Sequence, residues 1–179
     1  MSEFTFHTQE NTEGKTKALL EGVQAGYGFT PNLFAYMAEA PTTIEAYLAM
    51  NELISKGSFT PSQQQVALLA ASKENGCDFC IIAHRAIGKM SKANQQTLDA
   101  IHNDTAIENP GDRALATYVR KVVKQRGFVS DEEINEFIAA GFTKQNVLEV
   151  VLIVSIKTLS NYINHLTNPE PNKELLAML

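Results

Sequence analysis

Lys73-Glu74-Asn75-Gly76-Cys77-Asp78-Phe79-Cys80-Ile81-Ile82-Ala83-His84 is the stretch from which the rest of the chain reads outward. It holds both cysteines of the protein, with two residues between them, and a histidine four positions after the second. Gln63 to Asn75 has the composition of a helix, Gly76 is the residue type that closes a helix in the left-handed conformation, and Cys77 to Ile87 is again helical in composition, without proline. The sequence therefore predicts two helices joined at Gly76, with the cysteines opening the second. In a helix Cys77, Cys80 and His84 stand at i, i+3 and i+7 and share a face, with Cys80 and His84 one turn apart. Unpaired N–H groups and the positive dipole end in a first helical turn favour a thiolate, and a nearby histidine can take the thiol proton. On this reading Cys80 is the nucleophile.

Helix signals continue in both directions. Thr60-Pro61-Ser62-Gln63 is a start signal with Gln at the capping-box position, and Gln65 shares a flank with Leu68, Leu69 and Ser72, where partial burial is expected. Residues 1–13 are polar and predict an extended N-terminal arm; Lys15 to Tyr27 is weakly helical. Thr30 is expected to cap a helix with Pro31 in its first position, and Thr42-Thr43-Ile44-Glu45 to open a capped helix running to Gly57. Downstream, the cysteine helix is expected to end near Gly88 and Ser91 to start a short one. Asn103 to Asp112, with Asn109-Pro110-Gly111, reads as a connecting segment. Ala114 to Gln125, a helix led by Ser130-Asp131-Glu132-Glu133, and Lys144 to about Leu166 follow. The last is apolar nearly all round in its first half and is expected to be the central core helix. Strand signals are almost absent, so the expected fold is all-α, with residues 14–179 as a single helical domain. Phe59-Thr60 before a long helix reaching Phe79 echoes Phe142-Thr143 before one reaching Tyr162. This is a weak internal two-half repeat that shared helix-start chemistry would also produce.

Composition bounds the function. A chain of 179 residues, 44% hydrophobic, suits one domain with a real core, and a net charge of −5 from 15 Lys+Arg against 20 Asp+Glu, with no long basic run, argues against nucleic acid as partner. The N-terminus lacks a basic segment followed by an apolar one, and Val147 to Ile156 is too short an apolar run to span a bilayer and carries Glu149. No membrane partner and a cytoplasmic location are therefore expected, and there two close cysteines point to redox or metal chemistry rather than a structural staple.

Several chemistries use Cys-x-x-Cys. Haem attachment needs His directly after the second cysteine, where Ile81 stands. A zinc site needs four ligands, and Cys77, Cys80 and His84 would have to recruit His7, His102 or His165. A thioredoxin-type site needs a βαβ setting that a helical chain does not offer. Two buried cysteines acting as small core residues are the plain structural alternative. A peroxide-reducing or dithiol-oxidising site uses both cysteines and the histidine. His165, one turn after Asn161, is expected to be a satisfied core histidine or a helix-end contact, and Phe34, Met37 and Phe79 to be packing, with Phe79 able to shape access to Cys80.

Gly57-Ser58-Phe59-Thr60-Pro61-Ser62-Gln63-Gln64-Gln65-Val66, running on to the Asn75-Gly76-Cys77-x-x-Cys80-x-x-x-His84 motif, resembles the core of the alkyl hydroperoxidase D-like proteins of the carboxymuconolactone decarboxylase superfamily. Gly28-Phe29-Thr30-Pro31-Asn32-Leu33 and Asn161-Tyr162-Ile163-Asn164-His165 are similar to segments of further members. The resemblance implies an all-helical fold that assembles as homo-oligomers, and reduction of organic or hydrogen peroxide without flavin or metal. It further implies that Cys80 attacks the peroxide and becomes a sulfenic acid, Cys77 condenses with it to a disulfide, and His84 takes part in proton transfer. A dithiol protein of lipoyl or thioredoxin type would reset the pair. The glutamate of the family's proton relay falls on Gln65, which can orient His84 or hold a water but cannot accept a proton; either His84 works without that base, or Glu74 substitutes for it, or the peroxidase activity is weak, and Glu74 is expected to face solvent. Two rivals remain open at this point: a lactone-acting decarboxylase relative in which the cysteines are incidental, and a non-enzymatic redox sensor.

Overall fold

The start signal at Thr60 forms as written. Thr60 Oγ1 accepts the Gln63 N–H, Gln63 Oε1 accepts the Thr60 N–H, and Pro61 takes the first helical position, where its missing N–H leaves nothing unpaired. The helix ends in a Schellman arrangement: Gly76, at φ +68°, directs its N–H to the Lys73 carbonyl while the Cys77 N–H reaches Ser72. Cys77 is therefore the N-cap of the next helix and not a member of it. The turn, rather than helical periodicity, sets Cys77 beside Cys80.

The computed structural model describes residues 4–179, in which ten helices and no strand are present. They are α1 (Gly14–Tyr27), α2 (Asn32–Met37), α3 (Pro41–Ser55), α4 (Pro61–Glu74), α5 (Asp78–Met90), α6 (Gln95–Asn103), α7 (Pro110–Lys124), α8 (Asp131–Ala139), α9 (Lys144–Thr167) and α10 (Lys173–Ala177). Residues 4–13 of the expected arm contain no helix, and residues 1–3 lie outside the described residues.

The all-α expectation holds, but the centre of the bundle is α4 and not α9. Val66 to Ser72 is buried without a break, and α5, α7 and α9 pack around it. Burying each Val or Leu there contributes roughly 1.5–3 kcal/mol, and the intervening Ala67, Ala70 and Ala71 let neighbouring helices approach closely. α9 buries one face, through Val150, Ile153, Ile156, Lys157, Ser160, Asn161 and Asn164, and exposes Leu148, Val151, Tyr162 and Leu166. Its all-round apolar character thus reflects two different faces, one turned inward and one outward. At 24 residues α9 is long and apolar enough by composition to cross a membrane, which the shorter Val147 to Ile156 run does not convey. Phe59 and Phe142, the starts of the echoed segments, pack against each other with ring centroids 6.1 Å apart, and Thr60 and Thr143 both form capping boxes. The echo stops at Gly76, which breaks the first segment into α4 and α5 where α9 runs on.

Several boundaries differ from the sequence reading for local reasons. Pro31, not Thr30, is the N-cap of α2, and the Asn32 N–H is satisfied by Asn172 Oδ1 from far along the chain. The box expected at Thr42 does not form, because α3 already starts at Pro41 and the Thr43 hydroxyl donates to the Met37 and Ala40 carbonyls. α6 is capped by Asn94 rather than opened at Ser91. Asn109-Pro110-Gly111 is a helix start, with Asn109 Oδ1 accepting the Asp112 N–H. α10 has no counterpart in the sequence reading. α5 continues through Gly88 to Met90, and a Cβ at Gly88 would lie 2.5 Å from Leu98 Cδ1, which is itself buried. Gly88→Val is expected to destabilise the protein by about 1–3 kcal/mol through overpacking, read as a lower denaturation midpoint; an unchanged midpoint would show that Leu98 moves aside freely.

Candidate active site

The Schellman turn and the first turn of α5 bring Cys77 and Cys80 together as free thiols, each 2% exposed. The buried face of α9 meets them. Asn164 Nδ2 stands 3.2 Å from Cys80 Sγ and 3.6 Å from Cys77 Sγ. Asn161 Nδ2 is buried with no hydrogen-bond partner, while Asn161 Oδ1 accepts from Asn75 Nδ2 at 2.9 Å. Asn75, the residue before the joint glycine, thereby aims the Asn161 amide. Asn164 Oδ1 is buried without a donor.

These contacts divide the two thiols. The Cys77 S–H donates to the Cys80 sulfur and holds Cys80 well below the ordinary thiol range; burial opposes this, and the Lys157 charge with the Asn161 and Asn164 amides adds to the lowering. The same hydrogen bond, followed by burial, pushes Cys77 up. Cys80 is the thiolate of the pair and Cys77 keeps the proton.

His84 is buried one turn further along α5. Its Nδ1 lies 3.0 Å from Gln65 Oε1 and its Nε2 lies 2.9 Å from Lys157 Nζ. An ammonium can only donate, so Nε2 is the acceptor and Nδ1 carries the hydrogen that goes to the Gln65 carbonyl oxygen. Burial, and then the Lys157 charge, lowers His84 well below the ordinary imidazole value, so the ring is neutral. Gln65 is partly buried, as its flank position on the helix implies.

A cavity of about 260 Å³ opens onto this cluster. Cys80, His84, Gln65 and Lys157 line its polar end, and Cys77 does not line it. Its wall is aromatic, with Tyr27, Phe29, Phe34, Tyr47 and Phe79, and α10 closes it with Leu175. Burial pushes the Tyr27 and Tyr47 phenols up, so both stay protonated. Phe34 and Phe79 thus both pack and border the cavity.

The other residues singled out from the sequence lie elsewhere. Glu74 pairs with Lys124 at 3.4 Å and does not line the cavity. His7 bonds the Glu39 carboxylate, His102 packs beside Lys73 and Asp104, and His165 is exposed against Tyr162, so it is a helix-end residue and not a core histidine. No cluster of three His, Cys, Asp or Glu side chains suited to a metal occurs among the described residues. Sequence reasoning passed over Lys157 and gave Asn75, Asn161 and Asn164 no part at the site. Their signal was a polar series at 157, 161 and 164, spacing i, i+4, i+7, along one side of an otherwise apolar helix.

Residues 41–125 match the sequence profile of the carboxymuconolactone decarboxylase family. This segment is a carboxymuconolactone decarboxylase family domain. It contains both cysteines, His84 and Gln65, whereas Lys157, Asn161 and Asn164 come from α9 outside it. No curated protein matches the chain. Among solved structures, an uncharacterized peroxidase-related protein from Ralstonia eutropha, described as an alkylhydroperoxidase AhpD core, superposes with a TM-score of 0.85 at 23% identity, covering 99% of this chain and 95% of that one. A peroxidase-related protein from a Silicibacter species gives 0.76 at 18% identity, over 97% and 95%. The debrominase Bmp8, in a cysteine variant complexed with 2,3,4-tribromopyrrole, gives 0.79 at 16% identity, over 99% and 96%. At these identities the likeness carries the fold: the family domain sits in a chain with the alkylhydroperoxidase D-like architecture.

Proposed function

We propose that this protein is a dithiol-dependent peroxidase, acting on organic peroxides or hydrogen peroxide. The observation that carries the reading is the asymmetry of the pair: Cys80 lines the cavity and is held below the ordinary thiol range, whereas Cys77 does not line it and is pushed up. The Cys80 thiolate attacks the distal peroxide oxygen, the O–O bond breaks, and the leaving oxygen takes a proton from solvent to depart as alcohol or water, leaving Cys80 as a sulfenic acid. The Cys77 sulfur then displaces the sulfenic hydroxyl, which leaves as water with the Cys77 proton, and the disulfide forms. A dithiol protein of lipoyl or thioredoxin type returns two electrons. His84, with its acceptor nitrogen engaged by Lys157, orients that cation instead of taking the Cys80 proton, and Gln65 fixes the ring. The exposed apolar residues of α9 would be covered in a homo-oligomer.

The aromatic wall favours a second substrate for the same dithiol. On a halogenated aromatic ring, the Cys80 thiolate would take the halogen while the ring carbon gains a proton, and Cys77 would then displace halide to give the same disulfide. The fold shared with a debrominase supports testing it.

Stopped-flow mixing of the fully reduced protein with cumene hydroperoxide or hydrogen peroxide, with free thiols counted before and after, tests the reading. The expected result is one peroxide consumed and both thiols lost per chain. Surviving peroxide with both thiols intact would overturn it, and loss of the thiols on a brominated pyrrole alone would move the assignment to dehalogenation.

A further inference from the structure

Lys157 is 1% exposed, and its hydrogen bond is to His84, a neutral ring. None of the ion pairs among the described residues includes it. A buried ammonium without an anion is strongly disfavoured, so a negative charge nearby would stabilise it. The group with which Lys157 shares the end of the cavity is Cys80. One and two turns further along the same face of α9 stand the buried Asn161 and Asn164, and Asn164 donates an amide N–H to the same sulfur at 3.2 Å. Gln65 contributes by being uncharged: a carboxylate in its place, 3.0 Å from His84 Nδ1, would offer the cation a second anion.

We propose that Lys157 is a positioning residue that sets the redox poise of the Cys77–Cys80 pair, stabilising the dithiol state and making the disulfide a readily reduced, oxidising one. The proposal rests on the reading above only in that the two cysteines cycle between dithiol and disulfide. In the reduced state the cation shares the polar end of the cavity with the Cys80 thiolate. Oxidation removes two electrons from the Cys80 thiolate and the Cys77 thiol, releases the Cys77 proton and forms the S–S bond, leaving Lys157 buried with no anion. Reduction by an external dithiol restores the pairing: one donor proton goes to Cys77, one is released, Cys80 re-emerges as thiolate, and the donor becomes a disulfide. The charge deficit in the oxidised state drives that step, as low thiol pKa does in other oxidising dithiols.

The test is the equilibrium of the full chain with glutathione buffers, read by alkylating free thiols and weighing the protein. Lys157→Met removes the cation, and Gln65→Glu adds the competing carboxylate while leaving the cation in place. Both are expected to shift the equilibrium about tenfold toward the disulfide, which for a two-electron couple is about 30 mV more negative. Lys157→Arg, which keeps the charge, should stay within about threefold of the native chain. Should Lys157→Met fail to fold, Gln65→Glu decides alone. An unchanged constant in the decisive variants overturns the proposal, as does a shift equally large in Lys157→Arg. No peroxide enters this measurement, so a native protein that ignores peroxides yet shows the shift would sink the peroxidase reading and leave Lys157 its role.

Discussion

Cys80→Ser is expected to abolish peroxide consumption, a fall of roughly a thousandfold or more, because a serine hydroxyl in the same place has no thiolate to offer. Cys77→Ser should behave differently. It leaves the attacking sulfur on the cavity wall but removes the resolving thiol, so one peroxide is consumed per chain, turnover stops, and Cys80 remains as a sulfenic acid that a dimedone-type trap will label. The loss of the Cys77 S–H bond also removes the largest cause of the Cys80 lowering, so the single event should be slower at neutral pH than in the native chain. Turnover surviving in Cys80→Ser, or sustained turnover in Cys77→Ser with the same donor, would show that the roles are reversed or that the cysteines are bystanders. Activity on a lactone that survives loss of both cysteines would instead establish the decarboxylase-like alternative, in which neither sulfur is needed.

The fold was legible where local chemistry alone decides it. Thr60, Ser130 and Thr143 each sit three residues before a side chain that completes a capping box, and all three boxes form. Gly76 was legible because only a left-handed residue closes α4 while passing two N–H groups back to it. Where a partner comes from far along the chain, the sequence was silent. The Asn32 N–H finds Asn172, so Thr30 is not needed as a cap, and α10 is a five-residue helix held largely by Leu175 against the body of the protein. Asn109-Pro110-Gly111 shows a different limit: the residue types that make turns also open helices, and only the residues after them tell the two apart.

At the site, a local motif showed the two sulfurs and His84, and the relation of Gln65 to His84 followed from the resemblance. Lys157 lies 73 positions from its partner His84, and nothing near it in the sequence names that partner. What the sequence did carry was a physical oddity, a lysine among Ile153, Ile156 and Leu159 in a helix apolar enough to be buried. Lysine is almost never fully buried without a partner, so that position alone was a reason to look for an anion.

Alkylation of Cys80 by iodoacetamide should stay near its plateau as pH falls from 8.5 to 6.5, where a thiol with an ordinary pKa of about 8.5 would slow roughly fiftyfold. The direction follows from the lowered Cys80 pKa, and reactivity is lost only as pH falls through that lowered value. The same shift makes a stability prediction. Between the lowered value and the ordinary one, the unfolded chain holds a proton on Cys80 that the folded chain does not, so stability rises with pH across this window and its Cys80 contribution is fully present above about 8.5. Above that point the sign turns, because the raised Cys77 keeps its proton in the folded chain while the unfolded thiol ionises. His84, lowered in the folded state, adds a rise of stability with pH that is complete by about 6.5. The interval from about 6.5 to 8.5 therefore isolates Cys80, and there Cys80→Ser should flatten the dependence of melting temperature on pH. Asn164→Ala, which removes the 3.2 Å amide contact, should move the alkylation midpoint upward without abolishing the reaction. A native midpoint at the ordinary thiol value would mean that Lys157 and the two amides do not hold a thiolate, and both the peroxidase reading and the redox role of Lys157 would lose their common footing.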